Sequence, residues 1–171
     1  MAGPPHFPGT GYAAGRRGDI TEQFIVFSLD ENRYALPISR VERIVRAFEP
    51  APLPRGPSEL AGLLNFRGRA VPLLDIRRFF GLPGRELGPA DYFILVTAAA
   101  GNCAITADSA PELAAGRPED LLPAGEIFPE LGCVERVLRT GDGLIPVCDA
   151  ARFPGGREEA AATPGRAPGT P

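Results

Sequence analysis

The sequence predicts a mostly-β fold made of two small antiparallel barrels built from a duplicated unit. Three observations indicate it: short apolar strands separated by turns, an internal repeat with the same order in both halves, and glycine- and proline-rich segments at both ends. The 171 residues include 21 glycines and 20 prolines, so part of the chain is not expected to pack. We expect disordered tails at 1–20 and 154–171 around a folded region at 21–153, because neither tail carries enough apolar surface to offset its ordering entropy.

The first predicted element is a hairpin, and a short helix follows it. Apolar stretches at 23–29 and 33–38 are separated by the turn Asp30–Asn32, which is typical of two paired strands. The next segment, 39–48, begins with Ser39, a residue type that commonly caps helices. Its apolar residues lie at helical spacing: Val41, Ile44, Val45 and Phe48. We therefore expect one or two helical turns here.

A second hairpin follows the proline-rich connection EPAPLPRGP, which cannot lie inside a sheet because proline removes ladder donors. Strands are expected at 59–66 and 70–74, on either side of an Arg-Gly-Arg turn. Asp75 is then placed to cap a short helix that ends at Gly81.

The second half repeats this order at a nearly constant spacing. FIVF at 24–27 corresponds to FILV at 93–96, YALPI at 34–38 to CAITA at 103–107, and VPLLDIRRF at 71–79 to IPVCDAARF at 145–153. The spacing is 69 residues for the first two blocks and 74 for the last, a difference that a five-residue loop insertion explains. Because each unit would be marginal alone, we expect two packed subdomains, at about 21–85 and 90–153.

Charge and hydropathy argue against two classes of partner. The formal net charge is −3 and the pI is near 5.3, whereas a general nucleic-acid binder needs a basic surplus to displace counterions. No apolar run approaches the ~20 residues that a membrane helix needs, and the N-terminus lacks a signal pattern. We therefore expect a cytoplasmic protein that binds no nucleic acid and does not insert into a membrane.

The three cysteines are predicted to be buried, apolar residues. Cys103, Cys133 and Cys148 each lie in an apolar stretch, and they form no CxxC pair. This pattern is typical of reduced thiols in a core, and less so of a disulfide or a metal site.

The sequence offers no set of catalytic residues. The only histidine, His6, lies in the expected N-terminal tail, so no positioned histidine base is available. No glycine-rich loop opens a helix as in a phosphate site, and cysteine and histidine are too scattered to bind a metal. Asp75 and Asp149 occupy equivalent repeat positions, where capping explains both. We expect no enzyme activity, no metal and no cofactor.

The run LAGLLNFRGRAVPLLDIRRFFGL at 60–82 resembles CheW-like proteins, the adaptors that join bacterial chemoreceptors to the histidine kinase CheA. The family motif is an Asn-Leu-Arg-Gly turn, then an apolar strand with a proline, then Asp-Leu/Ile-Arg. Here it stands as Asn65, Phe66, Arg67 and Gly68, followed by VPLLDIR. The opening FIVFSLDENRYALPISRVERIV is also similar to the family's first hairpin. The resemblance covers about 22–153 and implies two SH3-like five-stranded barrels.

By this resemblance the chain is a cytoplasmic scaffold at receptor arrays of the inner membrane. The implied partners are the cytoplasmic tip of a methyl-accepting chemoreceptor, the regulatory domain of a CheA-type histidine kinase and other CheW-like proteins. Arg67 matches the motif arginine that is tied to receptor docking, and Asn65, Phe66 and Gly68 complete its turn. An arginine on a tight turn offers a planar fork of donors to a helical partner. Alternatively, Arg67 pairs with an acid of its own barrel.

One departure from the family pattern follows the first hairpin. Members usually show Val-x-Glu-Ile there, with the glutamate linked to receptor contact, whereas this chain has Val-Glu42-Arg43-Ile. The acid falls one place earlier, and Arg40, Arg43 and Arg46 form a basic cluster on the predicted helix. Such a cluster is either a solvated face or a partner surface of altered polarity. Glu42, Arg43 and Arg40 therefore join the candidate partner-binding residues.

The second repeat also departs from the pattern. Where members often carry Val-Asp-Gly-Val and then an acid, this chain has TADSAPE at 106–112, and Pro111 removes a backbone donor. Two alternatives stay open. One is a divergent CheW-like protein that binds a receptor but not the kinase and acts as a spacer or competitor. The other is a small β-barrel enzyme or ligand-binding protein with a pocket between the barrels.

Overall fold

The computed structural model describes residues 20–56, 60–98, 101–125 and 127–153, and the tails predicted at 1–20 and 154–171 fall outside these ranges except for Ile20. Within them the chain forms eleven strands and one short α-helix. The strands are β1 Glu22–Leu29, β2 Asn32–Pro37, β3 Val41–Arg46, β4 Leu60–Phe66, β5 Arg69–Leu74, β6 Tyr92–Ala98, β7 Gly101–Ala107, β8 Glu112–Gly116, β9 Leu121–Pro123, β10 Val134–Thr140 and β11 Gly143–Cys148, and the helix α1 is Ile76–Phe79. Short 3-10 turns occupy Ile38–Arg40, Pro118–Asp120 and Ala150–Arg152.

The strands form two sheets, and each sheet takes strands from both halves of the chain. The first sheet has the order β8-β1-β2-β11-β10-β9 and the second has the order β3-β6-β7-β5-β4. Neighbouring strands are antiparallel except at β2–β11 in the first sheet and β5–β7 in the second. Each sheet thus joins the first two strands of one repeat to later strands of the other. The predicted boundary between 21–85 and 90–153 separates the repeats but not the sheets.

Equivalent strands pair in equivalent register in the two sheets. At the parallel junctions, Val147 lies opposite Ala35 and Leu73 lies opposite Ala104, and these two pairs are related by the spacings of the sequence repeat. The β4–β5 and β10–β11 pairs both carry a register shift at the start of the earlier strand. The duplication is therefore present in strand order, register and irregularities alike.

Each sheet encloses a core of its own, and a third core lies between the sheets. The first sheet buries Phe24, Val26, Ala35, Leu138, Ile145 and Val147, and the second buries their repeat equivalents Phe93, Leu95, Ala104, Leu64, Val71 and Leu73. Alternate residues of the same strands, such as Phe27 and Ile94, pack in the shared central core, because successive side chains of a strand point to opposite faces. The mostly-β fold class with two SH3-like units is confirmed.

The helix predicted over 39–48 is wrong. In its place, Ile38–Arg40 form a single 3-10 turn and Val41–Arg46 form strand β3, which pairs with β6 at the edge of the second sheet. The 3-10 turn follows Pro37 and has no side-chain cap, so Ser39 does not act as the expected N-cap.

A register shift in β3 explains why its sequence imitates a helix. The pairing with β6 shifts between Val41 and Arg43, which moves the alternation of the strand by one residue. Val41 and Ile44 consequently pack on the same side, against the central core, while Val45 packs against the core of the second sheet. Apolar residues three apart thus share a face without any helix.

The short helix expected after β5 is confirmed as α1, with Asp75 at its N-cap position. The Asp75 carboxylate makes no capping hydrogen bond and lies 3.4 Å from Arg78 Nε instead. Its repeat equivalent, Asp149, does cap its 3-10 turn by accepting a hydrogen bond from Ala151 N at 3.0 Å. In the described part of the chain, no helix is long and apolar enough to cross a membrane.

The three cysteines are buried free thiols, as the sequence predicts. Cys103 belongs to the central core, together with Cys133 and Cys148. Burial raises the pKa of the Cys103 thiol to about 11, so this side chain is protonated at neutral pH and packs as a small apolar group.

Candidate protein-docking site

The predicted motif residues lie on the tight turn between β4 and β5. Arg67 and Gly68 occupy its two central positions with φ angles of 53° and 83°, the positive values typical of a two-residue hairpin turn. The Asn65 side chain accepts a hydrogen bond from Gly68 N at 3.0 Å, which stabilises the turn. The hairpin therefore holds Arg67, exposed to solvent, at a fixed tip.

Strand β3 approaches this hairpin from the opposite edge of the second sheet. Glu42 lies at its register shift, and the carboxylate accepts hydrogen bonds from Arg69 Nη2 at 2.7 Å and from Asn102 Nδ2 at 3.0 Å. These bonds link β3 to β5 and β7. Glu42 thus pairs with Arg69. Among the described residues it does not pair with Arg67, which was the alternative that the sequence left open.

Two arginines share the ring of Phe66. The guanidinium carbon of Arg43 lies 5.3 Å from the ring centroid and that of Arg67 lies 5.8 Å from it, both within cation–π range. Phe66 itself packs against the core of the second sheet. Neither guanidinium has a salt-bridge partner among the residues the structure describes. We name the set Glu42, Arg43, Phe66, Arg67 and Arg69 the Arg67 surface.

The structure brings six of the seven predicted partner-binding residues together and leaves Arg40 in the 3-10 turn before β3, where its side chain is exposed. The predicted cluster of Arg40, Arg43 and Arg46 does not form. Arg46 donates a hydrogen bond to the Pro89 carbonyl at 2.5 Å and lies 5.5 Å from the Tyr92 ring centroid. The reason is that Arg40 lies before the strand, while Arg43 and Arg46 both follow its register shift and, three positions apart, face opposite sides.

A second polar cluster lines a cleft of about 210 Å³ beside α1. Buried Arg77 donates hydrogen bonds to Asp30 Oδ1 at 2.9 Å and to Asp108. Asp108 also accepts a hydrogen bond from Arg85 Nη2 at 2.8 Å, and the same nitrogen donates to Asp91 Oδ1 at 2.6 Å. The cluster joins the β1–β2 turn, α1 and the segments that flank β6 and β7.

The charges of this cleft stabilise one another. Burial raises the pKa of the Asp108 carboxyl, but hydrogen bonds from Arg77, Arg85 and the Asp30 N–H outweigh burial and hold that pKa below its usual value. Hydrogen bonds to Asp91 and Asp108 raise the pKa of Arg85. Asp108 and Arg85 therefore stay charged at neutral pH. No cluster of three histidine, cysteine or acidic residues within the described ranges could hold a metal ion.

Comparison with known proteins decides the family. A family model described as the CheW-like domain matches residues 23–155, which is most of the chain. The chain belongs to the CheW-like family. This is a family of chemotaxis scaffolds and adaptors, and the motif turn that suggested it is the β4–β5 turn.

Two relatives and one solved structure illustrate how close this CheW-like chain is to characterised proteins. Chemotaxis protein CheW of Treponema pallidum is 24% identical over 133 residues, covering 74% of this chain and 78% of that protein. Protein FrzA of Myxococcus xanthus is 28% identical over 102 residues, covering 60% of this chain and 64% of that protein. The crystal structure of scaffolding protein TtCheW from Thermoanaerobacter tengcongensis superposes with a TM-score of 0.70 at 24% identity, covering 76% of this chain and 90% of the other. This last likeness shows a shared fold.

Sequence reasoning missed several residues of these two clusters. Arg69 and Asn102 carried no local signal, because their partner Glu42 lies 27 and 60 residues away. The cleft did leave a signal in the repeat: Arg77 of VPLLDIRRF corresponds to Ala151 of IPVCDAARF. An arginine present in one copy only indicates a contact that is specific to the first repeat.

Proposed function

We propose that this CheW-like chain is a chemosensory adaptor that couples chemoreceptors to a CheA-type histidine kinase by docking to both. The Arg67 surface is the observation that carries the proposal. There the family motif forms an exposed hairpin tip, and two arginines stand beside it without a carboxylate partner in the described chain. Membership of a chemotaxis scaffold family adds independent support.

The geometry of this surface favours protein docking. The hydrogen bond from Gly68 N to Asn65 and the packing of Phe66 against the core hold the tip in place before any partner arrives. A preorganised surface loses little conformational entropy on binding, which improves the affinity available from a contact of modest area. The guanidinium of Arg67 offers several donors in one plane to a carboxylate or a carbonyl of a partner.

The absence of enzyme activity is part of the proposal. The cleft beside α1 is where an enzyme or a ligand-binding pocket between the barrels would have its polar groups. Asp91 and Asp108 are each bound to Arg77 or Arg85 there, and the pKa of Asp108 is lowered. A general acid or base works best with a pKa near the operating pH. The lowered pKa of Asp108 and its two arginine partners therefore support a structural role for the cleft.

Titration calorimetry of the full chain tests the proposal, with the regulatory domain of a CheA-type kinase and with the helical tip of a chemoreceptor from the same organism. We expect both to bind, and we expect Arg67→Glu to weaken receptor binding about tenfold. Arg117→Glu is the control, since the Arg117 side chain is exposed and its Nη1 lies 3.8 Å from Glu119 Oε1, a weak surface contact. Binding of the receptor alone would favour the spacer or competitor, and binding of neither would overturn the proposal.

A further inference from the structure

The two halves of the chain depend on each other for strand pairing and are linked by one segment. Four of the nine strand pairs, β1–β8, β2–β11, β3–β6 and β5–β7, join β1–β5 to β6–β11. In chain order, residues 80–91, between α1 and β6, connect these two sets of strands. We name this segment the connector. None of the four pairs requires that both of its strands belong to the same molecule.

The connector is long and largely exposed. Its 12 residues reach about 40 Å when fully extended, and residues 83–87 are all exposed to solvent. Pro83 and Pro89 favour an extended backbone, because the proline ring fixes φ and disfavours a helical conformation of the preceding residue. The connector is therefore long enough to pass from one copy of the chain to another.

The connector is folded back by contacts with both halves. On the side of the first half, the Pro83 carbonyl accepts a hydrogen bond from Arg77 Nη1 at 3.3 Å. On the side of the second half, Arg85 Nη2 donates to Asp91 Oδ1 at 2.6 Å and to Asp108 Oδ1 at 2.8 Å. Because Pro83 and Arg85 are two residues apart, one molecule makes both sets of contacts only when its halves pack on each other.

Arg85 is the weaker of these two attachments. Its side chain is 38% exposed, whereas that of Arg77 is 5% exposed, and ion pairs that reach the solvent contribute less than buried ones lose on breaking. The strand pairs, the central core and the ion pair of Arg77 with Asp108 can all form equally well between two copies. Release of Arg85 is therefore the contact that exchange has to break.

We infer that two copies of this chain exchange their first halves through the connector, and that Arg85 keeps the chain monomeric. In the exchanged dimer, β1–β5 of each copy pair with β6–β11 of the other. Each cleft beside α1 then takes Arg77 from one copy and Asp108 from its partner copy. Because the same pairs form in both states, exchange is a low-cost route to a dimer, and mass action favours it at high concentration.

Refolding from urea at two protein concentrations tests the inference. The full chain and its Arg85→Ala variant are refolded at about 5 and about 500 µM and analysed by size-exclusion chromatography with light scattering. We expect monomer at the low concentration and a dimer fraction at the high one. Arg85→Ala should raise the dimer association constant about tenfold. Arg117→Ala, an exposed arginine outside the connector, should leave it unchanged.

A cross-link shows whether the dimer is exchanged. Gln23 and Ala115 are exposed and lie opposite each other in β1–β8, whereas the three native cysteines are buried. In a chain with Gln23→Cys and Ala115→Cys, a short bifunctional maleimide should join two chains in the dimer fraction and link only single chains in the monomer fraction.

A denaturing gel separates the two products. Cross-links confined to single chains in the dimer fraction would overturn the inference, because the copies would then associate without exchange. Absence of any dimer from both the unaltered chain and Arg85→Ala would also overturn it. Equal association constants for these two chains would overturn the role of Arg85.

Discussion

At the scale of single residues, Arg77 shows how a buried charge is held. Its side chain is 5% exposed, and it binds Asp30 and Asp108 through separate nitrogens, with the Pro83 carbonyl 3.3 Å away. A buried ion that loses its partners still bears the free-energy cost of desolvation. Removing one member of a buried ion pair is therefore more destabilising than replacing the whole pair with apolar residues. Because Asp30 and Asp108 belong to different repeats, the guanidinium also joins the two halves of the chain.

Asp108→Asn should lower the free energy of unfolding by roughly 2–4 kcal/mol. The amide keeps the size of the side chain but removes the charge that Arg77 and Arg85 share. Urea denaturation at neutral pH measures the change. Asp75→Asn is the matched control on the same cleft, since the Asp75 carboxylate makes a single 3.4 Å contact with Arg78, and it should cost less than about 0.5 kcal/mol. Equal losses in the two variants would contradict the prediction.

Acid should remove the stabilisation that the Asp108 carboxylate gives to the folded chain. The folded-state pKa of Asp108 lies below its ordinary value of 3.8, so the stabilisation is fully present above about pH 4 and is lost as the pH falls through the lower, folded-state value. The free energies of unfolding of the native chain and of Asp108→Asn should therefore differ by a constant amount down to about pH 4 and converge as the pH falls from there through the folded-state pKa. Denaturation series at several pH values measure both. A difference that stays constant through that fall would show that the charge of Asp108 is not responsible.

Local chemistry decides which of these residues the sequence can predict. Arg67 was singled out through its resemblance to the family motif Asn-Leu-Arg-Gly, which occupies four consecutive residues, 65–68. The burial of Arg77 was not predicted, because its partners Asp30 and Asp108 are 47 and 31 residues away, and sequence spacing carries no information on such contacts.

At the scale of elements, the same distinction separates the β4–β5 hairpin from strand β3. The hairpin was predicted because its turn residues and alternating strands are adjacent in the chain. β3 was predicted as a helix, because the register shift beside Glu42 gives its apolar residues a spacing of three. That shift arises from pairing with β6, about fifty residues later in sequence, and local pattern therefore favoured the wrong element.

Replacing Gly68 should destabilise the β4–β5 turn through the backbone alone. Gly68 has φ of 83°, and a Cβ added there would meet nothing within 4 Å, so Gly68→Val should cost about 1–3 kcal/mol of left-handed strain with no steric clash. Gly68→Asn should cost less, because asparagine tolerates this conformation. Unfolding free energies from urea denaturation measure both.

Gly84→Val is the control for this series, since Gly84 also faces open space but has no left-handed φ. It should change the unfolding free energy by less than about 0.5 kcal/mol. A loss at Gly84 as large as that at Gly68 would mean that side-chain bulk, and not backbone conformation, sets the cost.

At the scale of the whole molecule, the repeat predicted two barrels but not how they exchange strands. Sequence similarity identifies which segments are equivalent, whereas the exchange depends on which segments pair. The pairing of β2 with β11 joins residues such as Ala35 and Val147, from opposite ends of the folded region. Contacts of such sequence separation leave no periodic signal.

Cutting the chain between Glu86 and Leu87 should leave two fragments that cannot fold alone. The N-terminal fragment keeps β1 and β2 of the first sheet and β3, β4 and β5 of the second, and the C-terminal fragment keeps the remaining strands of each. The cut separates four of the nine strand pairs, β1–β8, β2–β11, β3–β6 and β5–β7. Neither fragment should therefore show cooperative urea unfolding, while an equimolar mixture should recover it. Cooperative unfolding of either fragment as a monomer would contradict the exchange of strands.

The parallel junctions β2–β11 and β5–β7 also have a mechanical consequence. Two barrels joined by a single linker can rotate about it. Here each barrel contains strands from both repeats, and the two barrels share a central core. A rotation of one barrel against the other would disrupt this shared core and strain the two short connections, β2–β3 and β7–β8, that cross between the sheets. Two proteins bound to opposite barrels would therefore be held at a fixed angle to each other. A force applied to one of them would be transmitted to the other with little loss to bending.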